Sequence, residues 1–404
     1  AKLCHSPKDT AMSSNEVVIV SAKRTPIGAF LGALAPLSAV QLGGVAAKAA
    51  IHSAGIGPAE LEEVILGCVL PAGLGQAPAR QAAIAAGVPV SVPATTVNKM
   101  CGSALKAVML AAEQIRAGSA QVVLAGGLES MSNAPYLLPK ARSGYRMGHG
   151  EVLDHMFYDG LQSPWDGKLM GCFADATAAK YQFSRAQQDA FAAESVRRAL
   201  QAVAAGDFDA EIAPVTVKSR KGETVVARDE TPGTCDPAKI TTLKPAFGKD
   251  GTVTAASSSS ISDGAAALVL MSAEAARSRG VKPLARLLAY ASYAHEPEWF
   301  TTAPVGAMRK VLKQLDWTAR DVDLYEINEA FATVTMAAMR DLEIEHARVN
   351  VNGGACALGH PIGATGARIL TTLLYALRHR GGKRGIASLC IGGGEAVAAA
   401  VELL

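Results

Sequence analysis

Two short apolar runs, AQVVLAGGLES (residues 120–130) and IASLCIGGGEA (386–396), each follow a long helical pattern and each close on glycines. A chain that twice places a buried strand after a helix can satisfy both only in a layered α/β arrangement. The first run is preceded by the strand-like EVVIVSA, a helix over 40–54, the strand-like LEEVILGCVL and a helix after Cys101. The second is preceded by KPLARLLAYASY, the helix VGAMRKVLKQL, the strand DVDLYEI and the long helix GARILTTLLYALRH. The repeated order reads as an internal duplication, two similar units, each with a mostly parallel sheet. At 404 residues the chain is also too long for one ordinary core.

The text between the halves has another character. SNAPYLLPKARSGYRMGHG is rich in turn residues, SRAQQDAFAAESVRRALQA is a helix with a serine cap, and KSRKGETVVARDETPGTCDPA is charged and turn-rich. We expect residues 14–132 plus 253–281 to form the first half, 133–252 an inserted loop or lid domain, and 282–404 the second half. SRKGE reads as the solvated tip of a hairpin. The net charge of +3 argues for neither nucleic acid nor a membrane surface as partner, and no run approaches a membrane span. Seven scattered cysteines without CxxC or a zinc spacing suit free thiols in a reducing, cytoplasmic setting and predict no metal. AKLCHSPKDTAM lacks the core of a secretion signal and reads as a leader or appended segment before a natural start near Met12.

Four residues fall where strands end or helices begin, the places where α/β sheets gather ligands. Cys101 in NKMCGSALKAV stands at a helix start, where free N–H groups and the helix dipole favour a thiolate. His360 lies between Gly359 and Gly363 before a helix, Cys390 at a strand end before Gly392, and Asn328 beside Glu329 at another strand end. Each has an ordinary alternative: a core cysteine at 101 or 390, a turn histidine beside Pro361, a helix-capping asparagine. Together they supply a nucleophilic thiol, an imidazole to take its proton, a second thiol and amide donors.

NKMCGSALKAV, NEAFA, NGGACALGHPIGATGAR and CIGGGEA resemble the four signature blocks of the thiolases, and GTVTA with SDGAAALVL resembles a fifth. The resemblance runs from Val17 to Leu404. It implies an α/β fold of five layers, αβαβα, built from duplicated halves with an inserted loop domain. It implies homodimers or homotetramers that act on coenzyme A, acetyl-CoA and 3-ketoacyl-CoA as substrates, with no further cofactor.

Carried across, the resemblance makes Cys101 the acyl-accepting nucleophile and His360 its activator and an oxyanion donor. Cys390 becomes the acid/base for the α-proton of acetyl-CoA, and Asn328 the holder of a water that completes that oxyanion hole. The backbone amides of Cys101 and Gly392 match a second hole, and Ser259 a contact to the pantetheine arm. An acyl group parked on a thiolate and a second thioester turned into an enolate are what carbon–carbon bond formation between thioesters requires.

The sequence departs from the family at Ser257 to Ser260, where Asn-Ala-Ser-Gly is usual. It departs again at Leu169-Met170 in place of His-Met, and at Trp299-Phe300 before Pro304. Leu169, Met170 and Phe300 are thus expected to shape an apolar acyl pocket. Two competing readings are a carrier-protein condensing enzyme, against which a second cysteine speaks, and an acyl-CoA-binding scaffold, against which the complete polar set speaks.

Overall fold

The apolar runs become strands because both of their faces are covered. The computed structural model describes residues 16–220 and 222–404, so the leader expected at residues 1–11 lies outside the described residues. The first half holds β1 (Val17–Arg24), the two-residue β2 (Gly28–Ala29), α1 (Ala39–Ser53), β3 (Glu63–Gly67), α2 (Pro78–Ala85), β4 (Ala94–Val97), α3 (Ser103–Ala117) and β5 (Val122–Ser130). The insertion carries β6 (Tyr136–Leu137), β7 (Leu153–Asp154), α4 (Met170–Tyr181), α5 (Arg185–Ala205) and the hairpin β8 (Val215–Ser219) and β9 (Gly222–Val226). The chain then returns to the first half as β10 (Ser262–Ser272), and α6 (Ala273–Ser278) leads on. The second half is β11 (Ala285–Ala294), α7 (Ala303–Leu315), β12 (Leu324–Ile327), α8 (Ala332–Leu342), α9 (Ala355–Leu358), α10 (Thr365–Arg380), β13 (Arg384–Ile391) and β14 (Glu395–Leu403).

The duplication is visible in the strand order. From the seam outward the first half runs β1, β10, β5, β3, β4 and the second β11, β14, β13, β12. An isolated parallel bridge between Tyr325 and Val349 stands where β4 stands in the first half. Successive residues of a strand point to opposite faces, and here each face has its own cover. In β1, Val17 and Ile19 pack with α3 and α10, while Val18 and Val20 pack with α1. In β14, Val397 and Val401 face the same central helices, while Ala396 and Ala398 face α7. The resulting layers are α1 and α2, the first half-sheet, α3 with α10, the second half-sheet, and α7 with α8.

One expectation fails. The sheet is not mostly parallel: β3 pairs in parallel with β4 and β5, and β12 with β13, but β1–β10, β5–β10, β1–β11, β11–β14 and β13–β14 are antiparallel. Continuous apolar runs report burial on both faces, which is common in parallel sheets but does not require one. The three glycines 392–394 turn β13 straight back into β14, and β10 enters between β1 and β5 from the insertion.

The insertion is tied to the first half by Arg24, fully buried, whose guanidinium donates to Glu211 at 2.6 Å and to both oxygens of Asp229 at 2.7 and 2.9 Å. Its long helix starts as the sequence predicts, with Ser184 and Gln187 forming a reciprocal cap. Residues 218–220 and 222–223 lie exposed at the end of the β8–β9 hairpin, as SRKGE suggests. Among the described residues no helix is long and apolar enough to cross a membrane.

Candidate active site

Cys101 is presented by a tight turn. Met100 takes a left-handed conformation with φ of 48°, the Met100 amide donates to Asn98 Oδ1 at 2.9 Å, and Ser103 Oγ accepts from the Lys99 amide at 2.8 Å while donating to the Met100 carbonyl at 2.6 Å. Gly102 is needed for space, because a Cβ there would lie 2.4 Å from Ile391 Cδ1. Cys101 thus sits between the halves, partly exposed, just ahead of α3. Burial pushes its thiol up to about 11, against the pull of the Gly392 amide and its own amide. This corrects the expectation of a resting thiolate: at the helix start, loss of solvent outweighs the dipole.

Those amides identify the neighbours. Gly392 follows β13, and Cys390 ends that strand fully buried, its thiol raised well above the ordinary value by burial and then by the charge of Cys101. One strand over, the Asn328 amide donates to the Ser388 carbonyl at 3.0 Å, while both Nδ2 and Oδ1 of its buried side chain have no partner. Asn328 caps no helix, since α8 begins after Phe331 without a side-chain cap. A buried amide left open at both ends is costly and marks a place completed by water or ligand.

His360 enters from the loop before α10. Its Nδ1 lies 2.6 Å from Thr365 Oγ1, which donates its only proton to the Pro361 carbonyl at 2.9 Å. The imidazole therefore donates from Nδ1 and keeps the lone pair on Nε2, which has no partner in the protein. Burial, then the charge of Arg368, lowers its pKa to about 3, so the ring is neutral. A folded value below the unfolded one gives stability that is full above the unfolded pKa of about 6.5 and is lost as pH falls through the window toward 3. Between pH 7 and 5 this single group should cost about 2 kcal/mol. Chemical denaturation of wild type and His360→Asn at the two pH values checks it: the variant should lose less stability on acidification, and equal losses would contradict the assignment.

The cleft of about 180 Å³ that opens on His360 is lined by Leu169, Met170, Phe247, Ser259 and Phe331. Gly171 lets Phe247 close on α4, since a Cβ there would meet the ring at 2.2 Å. The Ser259 amide donates to the Ala330 carbonyl at 3.0 Å, and the His360 amide to the Ser260 carbonyl at 3.1 Å. Met170 leans on the glycine turn, its sulfur 3.3 Å from where a Gly392 Cβ would be. Phe300 is placed differently from the sequence expectation. It does not line the cleft but is 3% exposed in a cluster with Cys390, edge-on to Phe173 at 6.1 Å. It belongs to the apolar cluster against which Met170 packs.

Two buried carboxylates brace the site, Glu129, which escaped the sequence reading, and Glu329, which it named only as the neighbour of Asn328. Glu129, at the end of β5, accepts from the amides of Val69, Leu70 and Gly363 at 3.0, 3.2 and 2.9 Å, and so fixes the loop that carries His360. Burial still raises it to about 7. Glu329 accepts from Asn350 Nδ2, Ser195 Oγ and the Cys356 amide at 2.8, 2.7 and 3.0 Å, joining α5 to the same loop. Among the described residues no group of three or more His, Cys, Asp and Glu could hold a metal.

Comparison with known proteins gives matches over nearly the full chain. The family described as thiolase, N-terminal domain, matches residues 17–274, and thiolase, C-terminal domain, matches 281–403. The acetyl-CoA acetyltransferase of Cupriavidus necator is 50% identical over 391 residues, 96% of this chain and 99% of that one. Acetyl-CoA acetyltransferase 2 of Arabidopsis thaliana is 50% identical over 397 residues, 98% of each. The crystal structure of the Bacillus anthracis acetyl-CoA acetyltransferase superposes with a TM-score of 0.95 at 43% identity, covering 98% of this chain and all of that one. With both family domains, the curated relatives and the fold in agreement, the chain belongs to the thiolases.

Proposed function

We infer that this thiolase is an acetyl-CoA C-acetyltransferase or C-acyltransferase, joining acetyl-CoA units by Claisen condensation and cleaving 3-ketoacyl-CoA in reverse, through an acyl group on Cys101. One observation carries the assignment of roles: the end of β13 packs directly on the Cys101 turn, where a Cβ on Gly102 would lie 2.4 Å from Ile391 Cδ1, so that the Gly392 amide joins the Cys101 amide in lowering the pKa of the Cys101 thiol. Cys101 attacks the thioester carbonyl and its proton passes to His360 Nε2. Two backbone amides hold the oxyanion, and coenzyme A leaves, taking the Cys390 proton. The Cys390 thiolate then removes the α-proton of a second acetyl-CoA, whose enolate oxygen is held by the protonated His360 and a water on Asn328. The enolate attacks the acyl carbon, and Cys101 departs and recovers its proton from His360. Protons balance over the cycle.

The high thiol values support this division. The thiol and the imidazole both rest neutral, and charge forms only when a thioester oxygen is there to be stabilised. In the same reading residues 133–252 act as the lid beside the acyl site, with 14–132 plus 253–281 and 282–404 as the two catalytic halves. Ser259 contacts the pantetheine arm, and the protein works as a cytoplasmic homodimer or homotetramer. Six cysteines that are all free among the described residues accord with a reducing compartment.

Consumption of magnesium–acetoacetyl-CoA on adding coenzyme A tests turnover, and a binder without turnover would leave the absorbance unchanged. A series of 3-ketoacyl-CoA substrates tests the acyl site. With Leu169 and Met170 on the cleft wall, each added methylene should be worth about 1–3 kcal/mol. 3-Ketohexanoyl-CoA should therefore be cleaved, and strict restriction to acetoacetyl-CoA would overturn the apolar acyl pocket.

A further inference from the structure

Lys99 and Glu395 stand on either side of the seam between the halves. Lys99 is two residues before Cys101, Glu395 is three after Gly392, and the Lys99 ammonium bonds the Glu395 carboxylate. The two turns are thereby tied at their outer ends, while Gly102 against Ile391 holds them at the inner end. We propose that this ion pair is a positioning device that sets the Cys101 and Gly392 amides at the spacing an acyl oxyanion needs. The proposal rests on the reading of Cys101 as the acyl acceptor.

Three observations carry it. The pair joins the Cys101 turn to the Gly392 turn, which also meet where Gly102 packs on Ile391. Neither residue is among those that line the cleft opening on His360. Both side chains are partly exposed, 26% and 37%, and exposed pairs contribute little to stability. What such a pair can do is fix a distance: Met100 already bends the first turn through a left-handed conformation, and the glycines of the second offer no side chain to hold it. Complete loss of one oxyanion donor costs roughly 100–1000-fold in turnover, so a donor that is loosened but retained should cost about 10-fold.

The test measures kcat and KM for acetoacetyl-CoA thiolysis, thermal melting, and the site of acetylation by mass spectrometry. It uses the full-length wild type, Glu395→Gln, Lys99→Met and the exchanged double variant Lys99→Glu with Glu395→Lys. Each single variant should lose about 10-fold in kcat, with KM and melting temperature near wild type, and the exchanged pair should recover most of the loss. Single variants with wild-type kcat would overturn the proposal, as would a loss that appears only in KM or that the exchanged pair does not relieve. Wild-type protein acetylated elsewhere than Cys101 would instead overturn the underlying site reading, independently of the ion pair.

Discussion

His360→Ala should lose both half-reactions, with turnover down by roughly 1000-fold or more, because two effects of about 100-fold or more each fall on one imidazole. The first is activation of Cys101. A thiol raised to about 11 is almost wholly protonated at neutral pH, so the attacking thiolate must be made as the bond forms, and Nε2 is the open base on the cleft wall. The second is the enolate oxyanion, which the proton gained by Nε2 would stabilise. Stopped-flow acetylation and steady-state thiolysis of the variant check both, and near-normal acetylation would show that another base serves Cys101. Thr365 supplies a control: Thr365→Val removes the acceptor that orients Nδ1 while leaving the ring, so its loss should be smaller.

Cys390→Ala should divide the reaction instead of abolishing it throughout. Acetyl-Cys101 still forms, since transfer between sulfurs needs no enolate and coenzyme A can leave without a proton. Condensation should fail, together with exchange of the acetyl methyl protons for deuterium, by about 1000-fold, the scale of general acid–base catalysis. The environment of Cys390 argues for this role. Fully buried and raised above all by desolvation, which persists when Cys101 is acylated, its thiolate is a strong base, as removal of a carbon-bound proton demands. Cys390→Ser, similar in size and far less acidic, should fail in the same step. Wild-type proton exchange in the alanine variant would return Cys390 to a core cysteine.

The positions of the four polar residues were legible because each is punctuated locally. Gly102 and Ser103 after Cys101, Gly359 and Gly363 around His360, and the glycines after Cys390 mark element ends, and α/β folds gather ligands at such ends. Strand direction was not legible. β10 and β14 are as apolar as β5 and β13, and nothing in alternation separates parallel from antiparallel when both faces are buried. β14 itself hides in EAVAAAVEL, whose alanines favour helices. It is a strand because Ala398, Ala399 and Ala400, all fully buried, leave just enough room between α7 and the central helices.

The protonation state of Cys101 was misjudged because a helix start can be seen in a sequence but the loss of solvent around a sulfur cannot. Phe300 was placed in the acyl pocket by its neighbourhood in sequence, whereas the turn before α7 carries it into the apolar cluster against which Met170 packs. Glu129 had a signal that could have been used: a carboxylate at the end of a run that is otherwise fully apolar, GGLES, must find donors when buried, and here they come from the loop of His360.

The account turns on where the acyl group rests. Wild-type protein mixed briefly with acetyl-CoA, quenched in acid, digested and analysed by mass spectrometry should carry one acetyl group on Cys101 and none after Cys101→Ala. Acetylation at Cys68, Cys356 or Cys390 with Cys101 unmodified would contradict it.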